Sequence, residues 1–442
     1  MTGRSSADKI LPPRRYSLPG PDDIRRTVLP NGITILCRSN FNSPSIFLGG
    51  YIQAGSLFDP VEHLGLADFT ALTLLRGTQK RDMQAIFEAL ESRGASFSFS
   101  SGAHTTGFSG RSLAEDMPVL LEILAEAVLY PTFPLEQVEK LRAQLLTSLA
   151  IRGQDTAEMA SLTFDQIVFE DHPYRHPVDG WPETVRVISR DDLELYHRKH
   201  YGPKGMCIAV VGAVQAEKAI EQIQQVLGAW ENPDQPGPFQ VNPPELLNKT
   251  ERRHCEIPEK SQSDIVIGVT SLRRKDPGFL SASLGNSILG QFGMMGRIGE
   301  TVREKSGLAY YAYSSLNAGI GPGTWEISAG VNPNNVEKTI ELIRSEVSRF
   351  VNEGVTEEEL SDSQANFIGR LPLSLESNAG VAGSLLNIER FDLGLDYYHR
   401  YPELVNAVTQ EQVVETARKY LLPDRLAIAV AGSQVPKKKR KR

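Results

Sequence analysis

Residues that could ligate a metal or attack a bond are few in this sequence, and they are scattered. His63 and Asp68 stand five apart around the start of an apolar stretch, GLADFTALTLLRGT at 65–78, and His104 follows on a strand pair. A displaced metal site is conceivable from these three, yet His and Asp beside a helix entry more often cap it or hydrogen-bond locally. No G-x-S-x-G elbow occurs, so a serine nucleophile has no frame. Cys37, Cys207 and Cys255 are odd in number and widely spaced, mostly in strand-like runs. Buried free thiols in a reducing compartment are expected, with the cytoplasm as default. The glycine-rich run LGQFGMMGRIG at 289–299 lacks the Lys-Ser/Thr ending of a phosphate cradle.

The elements that must position such residues follow from periodicity and turn chemistry. The stretch 65–78 reads as a buried helix with Ala67, Phe69, Leu72 and Leu75 on its apolar face, entered from a polar turn at 59–62. Upstream, Asn31-Gly32 between two apolar runs predicts a hairpin, and SIFLGGYIQAGS predicts a third strand. Downstream come a helix near 82–93 stopped by Gly94, a strand pair in ASFSFSSGAHTTGFSGRS, and two long helices at 114–129 and 135–152. HPYRHP at 172–177 reads as a loop, 191–200 as a helix and MCIAVVG at 206–212 as a buried strand.

The piece 231–250 carries five prolines and no apolar period, as a linker does. On either side the chain repeats itself. HYGPKGMCIAVVGAV and KYLLPDRLAIAVAGSQ each join an aromatic-ended helix, a Pro turn and an IAV-x-G strand, with Ile208 and Ile428 equivalent. The expected organisation is an N-terminal arm (1–22), an α+β domain (23–230), the linker (231–250), a second homologous α+β domain (251–435) and a basic tail (436–442). Each half is expected to be an α/β roll, a mixed and largely antiparallel sheet with helices on one face.

Net charge is −7 although the last six residues, 437–442, are all basic, so the rest of the chain is more acidic still. That disfavours nucleic acid as a partner of the folded body. The tail has the form of an import signal but reads more simply as a solvated basic end. No run of 18 uncharged apolar residues occurs, so no membrane partner is expected.

The stretch 65–78 closely resembles the signature helix of the pitrilysin-type zinc peptidases, the inverted zincin or mitochondrial processing peptidase-like family, whose pattern is roughly GLAHFLEHMLFKGT. In that family the two His bind zinc and the Glu is the general base. Here Asp68 holds the first His position, Ala71 the Glu position and Leu72 the second His position. The family's third ligand, a Glu some 75–80 residues later, falls near Thr147, Ser148 and Leu149, and no Glu occurs from 140 to 157. HPYRHPVDG is similar to the family's HPYG-x-P-x-x-G segment. RIGETVREKSGLAYYAYSS at 297–315 resembles its RLF-x-x-LRE-x-x-GLAY segment, so that Arg303 and Tyr310 match an Arg and a Tyr projected toward substrate.

The resemblance spans about 25–434 and implies two facing halves of a clam shell around a peptide chamber. It implies no metal and no catalytic residue in this chain, with zinc only in a partner: an HxxEH-containing homologue forming a heterodimer with it. This chain would be the non-catalytic subunit of a zinc endopeptidase, closing the chamber and lending Arg303 and Tyr310 to bind the peptide substrate. The alternative it leaves open is a structural or peptide-binding homodimer with no proteolytic role.

Overall fold

The computed structural model describes residues 18–291 and 296–433. Most of the expected N-terminal arm, residues 292–295 of the glycine-rich turn, and the basic tail lie outside the described residues.

The first half runs β1 (Arg25–Val28), β2 (Thr34–Ser39), β3 (Ser45–Ile52), α1 (Leu66–Thr73), α2 (Met83–Glu91), β4 (Ser96–Ser101), β5 (Thr106–Leu113), α3 (Met117–Leu129), α4 (Leu135–Arg152), α5 (Thr156–Val168), α6 (Pro182–Val187), α7 (Arg190–His200), β6 (Cys207–Gly212) and α8 (Ala216–Leu227). After the linker come β7 (Glu251–Glu256), β8 (Ser263–Thr270), α9 (Phe279–Gly290), α10 (Gly296–Ile298), a π-helical stretch Gly299–Glu304, β9 (Ala309–Asn317) and β10 (Thr324–Val331). The chain ends on α11 (Val336–Glu353), α12 (Glu357–Ser374), α13 (Asn378–Phe391), α14 (Tyr397–Asn406), α15 (Gln410–Tyr420) and β11 (Ala427–Gly432).

The duplication is visible in the sheets. One is ordered β1-β2-β6-β3-β5-β4 and the other β7-β11-β8-β10-β9, the same topology less the first hairpin strand. In each, the IAV strand lies parallel to one neighbour and antiparallel to the other, Ile208 opposite Ile35 and Ile428 opposite Arg252 across the parallel seams. These strands are buried on both faces, which is why they read as unbroken apolar runs.

A strand buried on both faces needs two covering layers, and the second layer crosses between halves. The expectation of helices on one face describes the larger core of each half only. The opposite face of the first sheet is covered by α13, where Val381, Leu385 and Ile388 meet Leu36, Ala209 and Val211. The opposite face of the second sheet is covered by α5, where Phe164 and Ile167 meet Val266 and Ala429. Each half therefore lends the other a helix.

Polar bonds fix both exchanged helices. Glu389 on α13 receives two guanidinium bonds from Arg26, each 2.8 Å, and Asn378 donates to the Ser45 carbonyl at 3.2 Å. Arg253 on β7 reaches the Glu170 carboxylate at 2.9 Å and the Gln166 carbonyl at 3.1 Å, while Thr156 at the start of α5 donates to Asp264 on β8. Cys37 and Cys207 are buried free thiols and Cys255 is half-buried and free; burial pushes the first two up to about 12. Among the described residues no helix is long and apolar enough to cross a membrane.

Candidate functional site

The helix α1 owes its start to Asp59. That carboxylate accepts from the N–H groups of Gly65 and Ala67, both at 2.9 Å, so two first-turn donors that would lack partners are satisfied. Gly65 sits at φ +95°, and a side chain there would meet the Asp179 carbonyl oxygen at 2.8 Å, so both conformation and space require glycine. Thr70 and Thr73 are fully buried and return their hydroxyls to Leu66 and Phe69 carbonyls at 2.7 Å. The helix gives way to a 3₁₀ turn at Leu74–Arg76, a little earlier than the periodicity of 65–78 predicts.

The zinc-motif positions lie on α1 and α4. Asp68 is partly buried on α1; burial, with the charge of Asp179 nearby, pushes its carboxyl up to about 6. Ala71 is buried in the core and Leu72 packs against that core. Thr147 and Ser148 are exposed on α4, Thr147 spending its hydroxyl on the Ala143 carbonyl at 2.8 Å, and Leu149 is core. Alanine and leucine offer no donor atom, so the four positions do not fit zinc. Asp155, the one carboxylate between 140 and 157, caps α5 by accepting from Ala157 and Glu158 N–H groups at 2.9 and 3.0 Å.

The displaced site fares no better. His63 lies 3.7 Å from the Asp192 carboxylate, and His104 is bonded to the Tyr174 hydroxyl. Burial, and after it the charge of Arg390, holds His104 down to about 4. Among the described residues no three His, Cys, Asp or Glu side chains are grouped to hold a metal.

HPYRHPVDG is a bracket joining distant elements. His172 bonds the Asn242 carbonyl of the linker at 2.9 Å and takes the Tyr174 N–H at 3.2 Å. Arg152, at the end of α4, pairs with Asp179, donates to the Gly180 carbonyl at 2.8 Å and lies over Trp181. Tyr174 in turn meets the β9–β10 hairpin of the other half, where a side chain added at Gly321 would lie 2.0 Å from its hydroxyl.

Arg303 and Tyr310 are placed by the second half. Arg303 falls in the π-helical stretch Gly299–Glu304, which packs against β9. Its side chain is 39% exposed and its Nε is 3.7 Å from Glu304, a loose surface pair of little strength. Glu300, the other candidate partner, is held by Lys305 at 2.8 Å. Tyr310 is the second residue of the edge strand β9, where Tyr311 pairs with Gly330 and Ala309 with Val331, leaving Tyr310 as the extra residue of a bulge. It is 67% exposed. Its neighbour Tyr311 is tied to Asp264 and stacks near Tyr313; among the described residues the Tyr310 hydroxyl has no such bond. Tyr310 is therefore exposed without a hydroxyl bond among the described residues, and Arg303 keeps only the loose pair with Glu304.

A two-half α+β chain that keeps a zincin helix without its ligands is, as a class, a peptidase-like protein. The family described as Insulinase (Peptidase family M16) matches residues 34–171, and that described as Peptidase M16 inactive domain matches residues 188–367. The chain belongs to peptidase family M16. It is 25% identical over 397 residues to an uncharacterized zinc protease of Streptomyces coelicolor, covering 87% of this chain and 84% of that one. It is 24% identical over 373 residues to the mitochondrial-processing peptidase subunit beta of Saccharomyces cerevisiae, covering 81% and 80%. A crystal structure titled peptidase M16 inactive domain, from Pseudomonas fluorescens, superposes with TM-score 0.87 at 28% identity over 94% of this chain and 99% of that one. A Helicobacter pylori protease shares the fold at TM-score 0.87 and 17% identity, over 94% of this chain and all of that one.

Proposed function

We propose that this chain is the non-catalytic subunit of a two-chain M16 zinc endopeptidase, and that it binds peptide beside a partner's active site through Arg303 and Tyr310. The observation that carries the reading is a contrast within one molecule. Two of the three zinc-helix positions hold Ala71 and Leu72, which have no donor atom, while Tyr310 stays exposed on a bulged sheet edge and Arg303, on the π-helical stretch, keeps only a loose 3.7 Å pair with Glu304. A guanidinium fork and a phenol can both donate to a peptide carbonyl oxygen and hold charge that develops on it. The free edges at β4 and β9 offer unpaired backbone groups to an extended peptide. Zinc and the general base belong, on this reading, to an HxxEH-bearing homologue. One relative carries the word subunit in its name, which supports an assembly of unlike chains.

Reconstitution tests it. Mixed with the HxxEH relative from its own source, the protein is expected to form a heterodimer that cleaves extended peptides. Arg303→Ala or Tyr310→Phe is expected to lower kcat by roughly 10²-fold without disturbing the fold, because neither side chain belongs to the core of the second half. Full activity in both variants would remove the assigned roles. A stable self-dimer that ignores the relative and cleaves nothing would favour the homodimeric alternative.

A further inference from the structure

Where the two halves meet the linker there is a cavity of about 680 Å³. Its walls come from three sources: Tyr51 and Gln53 of the first half, the linker around Phe239, and Ser271, Tyr420 and Arg390 of the second half. It includes neither the zinc-motif positions nor Arg303 and Tyr310.

The charges in this wall are mostly spent. Arg273 is bound by Asp276 at 2.9 Å, Glu389 is taken by Arg26 at 2.8 Å, and Lys275 stands 3.8 Å from Asp392. Arg390 is different. Its guanidinium lies 4.3 Å over the Tyr51 ring, which fixes the plane of the fork without using its donors. Its one hydrogen bond among the described residues is a long 3.5 Å contact to Thr105, and its Nε is buried with no partner. Across the same cavity the Ser271 hydroxyl is likewise buried with no partner. Buried donors left unmade are costly, and when grouped in one cavity they mark where a ligand supplies the missing acceptor. His104, also in the wall, is kept neutral by burial and by the Arg390 charge, so it does not compete for an anion.

We propose that this cavity binds the C-terminal carboxylate of a short apolar peptide, with Arg390 taking the carboxylate and Ser271 pairing with a peptide amide. A pre-oriented guanidinium fork suits a planar carboxylate. Phe239, Leu272, Phe391 and Tyr420 suit apolar side chains. A simple aliphatic acid would leave Ser271 unpaired, so a peptide is the better occupant. This site stands on the single chain and needs no partner subunit.

Isothermal titration calorimetry on the full chain tests it with acetyl-Phe-Ala-Leu as free acid, the same peptide as C-terminal amide, and octanoate. The free acid is expected to bind, the amide and octanoate at least about tenfold more weakly. Arg390→Lys, which keeps charge but loses the fork, is expected to weaken the acid about tenfold; Ser271→Ala, a near-isosteric change that leaves the fold intact, about threefold. Equal binding of acid and amide, no binding of the acid at millimolar concentration, or wild-type affinity in both variants would overturn the proposal. Octanoate binding as tightly as the peptide would overturn the peptide assignment.

Discussion

Asp68 stands where the resemblance puts a metal ligand, and in the fold it is a partly buried acid. Its carboxyl, half out of water and facing Asp179, holds its proton up to about pH 6, where an unfolded chain releases it near 3.8. Between those values the unfolded chain carries the negative charge and the folded one carries the proton. The share of stability that Asp68 contributes should therefore fall as pH rises from about 4 to about 6, and level off above. Asp68→Asn is expected to make that slope shallower, leaving the shares of the raised Asp59 and Asp165 carboxyls, and to raise stability at pH 7 by about 1–2 kcal/mol, read from urea midpoints across the pH range. A slope unchanged in the variant would assign it to another group. At this scale the sequence was highly legible: that Ala71 and Leu72 cannot hold zinc follows from their types alone. What it could not show is that Arg303 keeps only a loose pair with Glu304 while Glu300 goes to Lys305, because these pairings are set by folded geometry.

Among the elements, the exchanged helices α5 and α13 matter most. Phe164 is fully buried on α5 against the other half's sheet, so Phe164→Ala should cost about 3–5 kcal/mol by thermal or urea unfolding. Its mark would be loss of the half-to-half bond rather than of the first core, seen as new exchange of β8 and β11 amides. Element boundaries were mostly readable from caps and prolines: the helix at 135–152 appears as Leu135–Arg152, and the Pro-rich 231–250 carries no helix or strand. The destination of α5 was not readable. Its apolar face is periodic whichever sheet it covers, and nothing local distinguishes its own half from the other.

For the whole molecule, mutual lending of helices predicts cooperativity. Each half alone would expose a sheet face of the kind buried by α5 or α13, so the two should unfold together despite a 442-residue chain and two cores. Urea unfolding is expected to show one midpoint whether read by Trp181 and Trp230 in the first half or by Trp325 in the second, using single-tryptophan-set variants. Two separated midpoints would mean that the halves hold themselves up independently.

By itself the sequence determined the family, the duplication and the replacement of the zinc motif's His and Glu by Asp68, Ala71 and Leu72, because these lie in residue types and in spacings along the chain. Tertiary structure decided which face each helix covers, which charges are already spent and where Arg390 and Ser271 come together, because burial and pairing are properties of neighbours brought close from far along the chain. The resemblance singled out Arg303 and Tyr310, and the fold decided that Tyr310 is exposed and that Arg303 sits beside Glu304.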